Sequence, residues 1–454
     1  MPLHLADVAR GVRETQYAVR GPIVARAAEL ERQGRRIIYC NIGNPQSLGQ
    51  RPLTFLRQVL ALAEWPALLD GPAASAFPED ARAAARRALT ESPYGLGAYT
   101  ESKGFRFVRD AVVEFIRRRD GIPADAEHVF LTDGASKGVQ SVLRLLVDGP
   151  SDGVMIPIPQ YPLYSASITL LGGTQVPYYL DEAREWSLSR EALETAHAQA
   201  VAKGIRVRAI AVINPGNPTG AVLDAANVEM LLDFARKHSL AVLADEVYQE
   251  NVYRPQDRFV SFASVLVRRG IDDVPLFSFH SVSKGLFGEC GHRGGYLESR
   301  NVHPEVMAEV EKLQSVALCA NSAGQLVTWV MVNPPRPGDP SFPLYDRECK
   351  EIFESLRRRA ARLQQGLSAI PGIQCNGLTG AMYAFPRIQL PPGRTDAQYC
   401  LALLEETGIC VVPGSGFGQL PGTFHFRTTI LPPDDEIELV IEKLSAFHAS
   451  FTRA

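Results

Sequence analysis

The sequence lacks the features that mark several large classes of protein. Its seven cysteines are scattered over 454 residues without a CxxC pair, which argues against a disulfide framework or zinc site and favours reduced thiols in a cytoplasmic protein. No apolar run reaches the roughly 18 residues that a membrane span needs. The start, MPLHLADVARG, has no basic stretch followed by an apolar one, so we expect no secretory signal.

Charge and short motifs exclude further classes. The net charge is only -3, so neither nucleic acid nor an anionic membrane is expected as the main partner. The chain contains no GxxxxGK[ST] phosphate loop and no HExxH zinc motif. The glycine-rich GSGFG (414–418) is followed by QLPG rather than by a helix, so it is not a dinucleotide motif. We therefore predict no metal site.

What the sequence does contain is a regular alternation of apolar runs and amphipathic segments. Residues 102–121 carry apolar side chains at helical spacing and stop at Gly121, which predicts a helix. Nearly continuous apolar strands separated by helices are typical of a mostly parallel sheet with helices on both faces, so we predict an α/β fold. The predicted strands are 128–133, 153–158, 207–214, 240–246, 275–281 and 293–298.

A proline-rich segment, VNPPRPGDPSFP (332–343), predicts a break in the chain. A long arginine-rich helix is expected after it, at about 345–367, followed by strand-like stretches of a smaller α+β unit. We therefore predict a large domain at 51–333 and a small C-terminal domain at 334–454. The N-terminal segment, 1–50, is expected to pack on the small domain.

One lysine stands among serines and glycines in FHSVSKGLFGECGHRGG (279–295). Lys284 follows one predicted strand and Asp245 ends another, at the strand ends where open α/β sheets bind ligands. Asp245 can be a structural acid that caps a loop or pairs with Lys284. Alternatively, it can hold a proton on a pyridine nitrogen while Lys284 carries the aldehyde of pyridoxal phosphate as a Schiff base.

The cofactor interpretation requires further groups, and the sequence offers them. The segment DGASKG (133–138), at a strand-to-helix junction, can present amides and a hydroxyl to a phosphate. Asn217 in NPGNPTG and Tyr248 can donate to the phenolic oxygen, and Tyr161 in IPQYPLY can stack on the ring. Each feature alone is weak, because NPxxP-like turns are common and GASKG can simply begin a helix. Their joint occurrence in this order is what favours the cofactor.

The motifs NPGNPTG, ADEVY, SVSKG with an arginine nine residues past the lysine, and FHFRTTI occur in that order. With this combination the chain resembles the class I, fold-type I aminotransferases, which depend on pyridoxal phosphate. Longer stretches, among them LGAYTESKGFRFVRDAV, ADEVYQENVY and PGSGFGQLPGTFHFRTTILPP, resemble the alanine aminotransferases of that class. The resemblance spans about residues 10–435.

The resemblance implies a role for each matching residue. Lys284 would be the Schiff-base lysine and the base for the proton shift, Asp245 the partner of the pyridinium nitrogen, and Arg427 the ligand of the substrate α-carboxylate. Asn217 and Tyr248 would bond the phenolic oxygen, and Tyr161 would stack on the ring face. Gly43 would give backbone contact to the carboxylate, and Tyr99 would reach the phosphate of a partner subunit. The residues that would hold the phosphate are Ala135, Ser136, Ser281, Ser283 and Arg293. The role of Tyr99 implies a homodimer with the active site at the subunit interface.

Two arginines have ordinary alternatives. Arg427 lies on the opposite parity from Phe424 and Phe426 in the alternating TFHFRTTI, as a solvent-facing arginine would. Its planar guanidinium suits bidentate carboxylate binding, which is the role that the resemblance favours. For the distal carboxylate of glutamate we hypothesise Arg20, in YAVRGP on a mobile N-terminal segment. The alternative for Arg20 is a surface arginine.

The expected activity is reversible transfer of the amino group of L-alanine to 2-oxoglutarate, giving pyruvate and L-glutamate with ping-pong kinetics. One alternative is a related transaminase that uses glyoxylate or another amino donor. A second is a non-enzymatic regulator with an aminotransferase-like domain, but such a protein usually carries a basic DNA-binding segment, which we do not expect here.

Overall fold

A computed structural model describes residues 3–453 of the chain. The α-helices are α1 (Arg10–Glu14), α2 (Pro22–Arg32), α3 (Thr54–Glu64), α4 (Glu79–Glu91), α5 (Arg106–Asp120), α6 (Ala135–Leu146), α7 (Leu163–Leu170), α8 (Arg190–Ala202), α9 (Ala225–Lys237), α10 (Phe262–Arg268), α11 (Pro304–Val316), α12 (Ser322–Val332), α13 (Phe342–Ser368), α14 (Asp396–Thr407) and α15 (Asp434–Phe451). The strands are β1 (Ile38–Tyr39), β2 (Val129–Leu131), β3 (Asp152–Ile158), β4 (Thr174–Tyr179), β5 (Arg206–Ile213), β6 (Ala241–Asp245), β7 (Leu276–Ser281), β8 (Gly295–Arg300), β9 (Ile373–Gln374), β10 (Tyr383–Ala384), β11 (Arg387–Ile388), β12 (Ile409–Cys410), β13 (Val412–Pro413) and β14 (Phe426–Thr429).

A seven-stranded sheet in the order β2-β8-β7-β6-β5-β3-β4 forms the centre of the molecule. Strands β7, β6, β5, β3 and β4 pair in parallel, whereas β8 is antiparallel to both of its neighbours. Because β2 is antiparallel to β8, it points the same way as the parallel strands, and β8 alone in this sheet is reversed. The carboxyl ends of the other six strands therefore meet at one edge. The predicted mostly parallel α/β sheet is confirmed.

Both faces of the sheet are buried. In β5, Ile210 and Val212 join one apolar core, while the alternate residues Ala209 and Ala211 join another on the opposite face. Successive side chains of a strand point to opposite faces, so a strand covered on both sides is apolar at every position. That is why these strands appear in the sequence as continuous apolar runs.

The predicted strands lie within a few residues of the observed ones, but β4 was not predicted. Its sequence, TQVPYY, contains Pro177 and has alternating burial, because β4 lies at an edge of the sheet. Proline within a run weakens a strand prediction, yet an edge strand tolerates it. The predicted helix at 102–121 is shorter in the structure, where α5 begins at Arg106 and ends before Gly121 in the left-handed conformation.

The C-terminal part of the chain forms short strands and three long helices, α13, α14 and α15. After the proline-rich segment, α13 begins at Phe342, close to the predicted start, with a proline in its first turn where no amide donor is needed. A three-stranded sheet, β10-β14-β13, carries Arg427 on its middle strand. The N-terminal β1 pairs in parallel with β12, so the first part of the chain packs on the last. The proposed domain boundaries stay predictions.

The described residues contain neither a membrane-spanning helix nor a metal-binding cluster. Across residues 3–453, no helix combines the length and apolar character needed to cross a bilayer. The same residues contain no group of three or more His, Cys, Asp or Glu side chains arranged to hold a metal ion.

Candidate active site

A cavity of about 540 Å³ opens at the carboxyl edge of the large sheet, between the sheet and the C-terminal unit. Every site residue predicted from the sequence lines this cavity except Tyr99. Loops that are far apart in the chain meet there because parallel strands end at the same edge. The side chain of Tyr99 is 79% exposed, so its predicted contact with a partner subunit stays a prediction.

Asp245 is the last residue of β6 and is 4% exposed. Tyr164 donates a hydrogen bond to its Oδ2 at 3.2 Å, whereas Oδ1 is buried without a hydrogen-bond partner among the described residues. Burial raises the pKa of Asp245 to about 6, although the Tyr164 hydroxyl, the Val247 amide and the positive charge of Lys284 oppose the rise. A buried carboxylate oxygen without a partner is costly, so this one fits a protonated nitrogen entering the cavity.

Lys284 follows β7 and lies half-buried in the cavity. Its Nζ donates a hydrogen bond to the backbone carbonyl of Gly43, in the N-terminal segment. A methyl group on Gly43 would lie 1.7 Å from Tyr383 Oη and 3.1 Å from Lys284 Nζ, so only glycine fits. The backbone of Gly43 therefore approaches the lysine closely, and its predicted contact with a substrate carboxylate stays a prediction.

Tyr383, on β10, was missed by the sequence analysis. Its hydroxyl lies 3.5 Å from that of Tyr248, and both side chains are buried. Burial raises the pKa of Tyr383, but the positive charges of Lys284 and Arg427 together hold it below its ordinary value. The pKa of Tyr248 lies well above its ordinary value because of burial and of the neighbouring Tyr383. The sequence signal for Tyr383 was the strand-like GAMYAF, which by itself suggests only a core tyrosine.

Arg427 lies on β14 and is 1% exposed, so the solvent-facing alternative is wrong. Its guanidinium stacks on Tyr383 and Phe417, at 4.2 and 4.6 Å from the ring centroids. It donates from Nη1 to Asn217 Oδ1 at 3.1 Å and from Nη2 to the carbonyl of Asn41 at 2.5 Å. Within the described part of the chain it forms no ion pair, and a buried cation without a counter-charge fits an incoming carboxylate.

The other end of the cavity is suited to an anion. Helix α6 begins at Ala135, after Gly134 with a φ of 74°, and its first two residues, Ala135 and Ser136, line the cavity, so a helix N-terminus lies at this end. Arg293 donates to the carbonyls of Cys290 and Asp133 at 2.9 and 3.0 Å. Gly134 has a φ of 74°, a backbone conformation that strains any residue with a side chain, so glycine is favoured there. Ser136, Ser281 and Ser283 complete this end.

The N-terminal segment covers the third side of the cavity. Tyr17 and Tyr161 share a hydrogen bond of 2.7 Å between their hydroxyls, and their rings meet edge to face. Arg20 is exposed at the rim, and its guanidinium makes neither an ion pair nor a hydrogen bond with any of residues 3–453. Tyr17 and Tyr164 were missed in the sequence, because nothing in YAVRGP or IPQYPLY distinguishes these tyrosines from core residues.

Comparison with known proteins agrees with this geometry. Residues 69–444 match the family described as "Aminotransferase class I and II". Alanine aminotransferase 1 of Homo sapiens is 50% identical over 467 aligned residues, covering 97% of this chain and 93% of the human protein. Glutamate–glyoxylate aminotransferase 1 of Arabidopsis thaliana is 50% identical over 454 aligned residues, covering 97% and 94%.

The fold is also found among solved structures. The alanine aminotransferase from Pyrococcus furiosus superimposes with a TM-score of 0.80 at 27% identity, covering 98% of this chain and 100% of that one. The predicted fold and the resemblance noted in the sequence are therefore confirmed. The family match extends over most of the chain and includes Asn217, Asp245, Lys284 and Arg427, whereas Tyr17, Arg20 and Gly43 of the cavity lie before the matched range. The chain belongs to the class I and II aminotransferase family.

Proposed function

We propose that this aminotransferase exchanges the amino group between L-alanine and 2-oxoglutarate, with pyridoxal 5′-phosphate as its cofactor. The observation that carries the proposal is one cavity with three matched groups. They are a buried carboxylate with an unpartnered oxygen, Asp245, an amine, Lys284, and a buried cation without a counter-charge, Arg427. These suit, respectively, a pyridinium nitrogen, an aldehyde and an α-carboxylate.

The residues present fit the cofactor. The unpartnered Oδ1 of Asp245 suits the ring nitrogen, and the cavity lining beside Arg293 includes hydroxyls that suit a phosphate, those of Ser136, Ser281 and Ser283. The residues that would hold the cofactor are Asp245 at the ring nitrogen, Asn217 and Tyr248 at the phenolic oxygen, Tyr161 at the ring face, Lys284 at the aldehyde, and Ala135, Ser136, Ser281, Ser283 and Arg293 at the phosphate. When bound, pyridoxal phosphate supplies an electron sink for the bond pair left at the substrate α-carbon.

The residues of this chain would then bind, orient and move a proton. Arg427, whose direction is set by Asn217 and by the aromatic rings beside it, holds the substrate α-carboxylate. The Nζ of Lys284 accepts the α-proton and returns it to the neighbouring carbon, as a general base and acid at one atom. Gly43 keeps that amine in place through its carbonyl and leaves space that a side chain would fill.

Alanine as the amino donor is supported by the similarity to the human alanine aminotransferase. Glutamate differs from alanine by a distal carboxylate, which needs its own cation. We place that carboxylate against Arg20, which lines the cavity at its rim and has no ion-pair partner among residues 3–453. A flexible exposed arginine can meet a long substrate and withdraw from a short one.

A second candidate activity uses glyoxylate as the amino acceptor. It is supported by the equally high identity to the Arabidopsis glutamate–glyoxylate aminotransferase. Glyoxylate and pyruvate differ by one methyl group, and a hydrophobic contact with one methyl group discriminates only modestly between substrates. We therefore expect one pocket to accept both oxo acids to some extent.

The test is the absorption spectrum of the purified protein loaded with pyridoxal phosphate. We expect L-alanine to remove the visible band and 2-oxoglutarate to restore it, because each half-reaction interconverts the aldehyde and amine forms of the cofactor. Restoration by glyoxylate, compared at equal concentration, measures the second candidate. A protein that responds to another amino acid but not to alanine would contradict the alanine assignment while leaving the family unchanged.

We also propose that the protein is a cytoplasmic homodimer in which Tyr99 reaches the cofactor phosphate of the partner subunit. The exposed side chains Tyr94, Tyr99, Val316 and Leu318 support a contact between subunits. The segments that carry Tyr99 and Leu318 are adjacent, since the Thr100 amide donates to Cys319 Sγ at 3.4 Å, and neighbouring exposed apolar groups favour association. Scattered reduced thiols support the cytoplasmic assignment.

A further inference from the structure

Glu289 is a buried acid that the proposed function does not use. It lies in the loop between β7 and β8, five residues after Lys284 and four before Arg293, and it is 2% exposed. It does not line the cavity. Its Oε2 accepts hydrogen bonds from Arg57 Nη2 at 3.0 Å and from His292 Nδ1 at 2.8 Å.

The backbone around Glu289 is held equally firmly. Its amide donates to the carbonyl of Val282 at 2.8 Å, which closes the loop on itself. A single 3-10 turn, Cys290–His292, follows directly and ends at Arg293, whose φ is 51°. A left-handed conformation is unfavourable for a residue with a side chain and persists only where its surroundings impose it. The Glu289–His292 contact spans this turn and is one of those surroundings.

The direction of the Arg293 side chain depends on the same turn. Its guanidinium donates to the carbonyl of Cys290 inside the turn and to that of Asp133 at the start of α6. Asn321 fixes the Arg293 backbone, since its Nδ2 donates to the Arg293 carbonyl at 3.1 Å and to Asp133 Oδ1 at 3.0 Å. A turn released from Glu289 would lose the acceptor that aims one end of the guanidinium.

We propose that Glu289, held by Arg57 and His292, is a positioning residue that sets the direction of Arg293 toward the cofactor phosphate. This inference rests on the proposed function, because it assumes that Arg293 binds that phosphate. Arg57 lies on α3 and also donates to Gln46 of the N-terminal segment at 3.0 Å. The contacts of Arg57 with Glu289 and Gln46 therefore connect the phosphate end of the cavity to the part of the chain that carries Gly43.

The charge of Glu289 and its proposed positioning role predict opposite effects on phosphate affinity when the carboxylate is removed. A negative Glu289 near the phosphate would weaken phosphate binding by repulsion, so a neutral residue there would strengthen it. If Glu289 acts by position, its loss lets the turn relax and weakens phosphate binding, although a negative charge has been removed. Glu289→Gln keeps the size of the side chain. Stronger phosphate binding in this variant would indicate the charge effect, and weaker binding would indicate the positioning effect.

The experiment compares the affinity of the cofactor-free protein for pyridoxal 5′-phosphate and for pyridoxal, which has no phosphate, by absorption titration. The quantity of interest is the ratio of the two affinities. For Glu289→Gln we expect this ratio to fall by about tenfold, since the loss of a hydrogen bond between charged groups is worth roughly that factor. Pyridoxal affinity itself should be unchanged. Arg57→Gln, at a partly exposed position, should act in the same direction and serves if Glu289→Gln does not fold.

Two reference variants make the result decisive. Arg293→Ala should lower the ratio at least as much, and adding Glu289→Gln to it should have little further effect, because both remove the same contact. Glu250→Gln is the matched control, since Glu250 accepts a bond from the Leu286 amide in the same loop but does not contact the turn before Arg293. It should leave the ratio unchanged.

Each other outcome contradicts a definite statement. An unchanged or raised ratio in Glu289→Gln, with a lowered one in Arg293→Ala, overturns the positioning role but keeps the phosphate site. Equal losses for both ligands would mean that Glu289 only stabilises the fold, which also overturns the proposal. An unchanged ratio in Arg293→Ala would instead refute the phosphate site itself.

Discussion

At the scale of single residues, the site contains charged groups whose burial without a partner lowers the stability of the ligand-free protein. Asp245 is buried with one oxygen unpartnered, and Arg427 is buried without a counter-charge among the described residues. Both are unfavourable in a protein without ligands and favourable when a complementary ligand binds. Substitutions at such positions should therefore weaken function while leaving the cofactor-free protein as stable or more stable.

Asp245→Asn should show this most clearly. An amide cannot hold a proton on a pyridine nitrogen as a carboxylate does, so kcat/KM for the alanine half-reaction should fall at least about a hundredfold. Stopped-flow absorption with L-alanine measures it. An Asn variant with nearly full activity would refute the role of Asp245 at the ring nitrogen.

The same residue predicts a pH dependence of stability. The pKa of Asp245 is raised from 3.8 to about 6 in the folded protein, so the folded state binds this proton more tightly than the unfolded chain does. Its stabilising contribution is complete below about pH 4 and is lost as the pH rises through about 6, by about 3 kcal/mol. Urea unfolding of the cofactor-free protein at several pH values should show this loss relative to Asp245→Asn. Parallel pH profiles would contradict it.

Gly43 is the residue at which a single methyl group should matter. Its Cβ would overlap Tyr383 Oη, so Gly43→Ala should cost about 1–3 kcal/mol of stability and displace Lys284. Thermal unfolding and alanine turnover measure the two effects. Combining it with Tyr383→Ala should restore part of the lost stability, because the overlapping atoms are gone. Additive losses would show that the two residues do not compete for space.

At the scale of elements, the role of the N-terminal segment follows from its contacts with distant parts of the chain. It supplies Gly43 and Tyr17 to the cavity, and β1 attaches it to β12. Its 3-10 turn Ala18–Arg20 places Arg20 at the rim. A short turn anchored at both ends can carry a side chain that meets only the longer substrates.

Arg20→Ala should therefore separate the two substrates. The KM for glutamate and for 2-oxoglutarate should rise about tenfold, while the KM for alanine changes little, because alanine has no distal carboxylate. Steady-state kinetics in both directions measure this. Arg13→Ala is a suitable control, since Arg13 is exposed on α1 of the same segment and does not line the cavity. Equal changes for alanine and glutamate would refute the assignment.

Strand β14 shows why the alternation of TFHFRTTI could not by itself decide which way Arg427 faces. In a sheet with one face in water, the position opposite the apolar residues faces solvent. Strand β14 lies between β10 and β13 and is buried at all four positions, so its second face is also covered. That face is a wall of the cavity, which Arg427 lines.

At the scale of the whole molecule, the proposed homodimer makes a prediction of its own. One chain places Tyr99 outside its own cavity, on a surface with Tyr94. If Tyr99 contacts the phosphate of a partner subunit, Tyr99→Phe should lower cofactor affinity about tenfold without changing the mass in solution. Light scattering should give about twice 49.7 kDa for both proteins.

Tyr94→Phe is the matched control for that experiment. Tyr94 is exposed on the same loop and has no predicted contact with the cofactor, so its affinity should equal that of the unaltered protein. A monomeric protein, or one in which the two variants bind the cofactor equally, would refute the shared active site.

The sequence by itself determined the sheet and the chemistry carried by short motifs. Continuous apolar runs marked the buried strands, since a strand covered on both faces has no polar side. Lys284, Asp245 and Asn217 were selected because their motifs occur together, in a family-like order and next to strand ends, and the structure brings all three to one cavity. Such signals lie within a few neighbouring residues, so they can be recognised without knowledge of the fold.

Only the tertiary structure decided which distant residues meet. The contact of Gly43 with Tyr383, the stacking of Arg427 on Phe417 and the clamp of Glu289 by Arg57 each join segments far apart in the chain. No local pattern encodes them, because a buried tyrosine or a paired arginine looks the same in sequence wherever it packs. They arise from the way the C-terminal unit and the N-terminal segment close over one edge of the sheet.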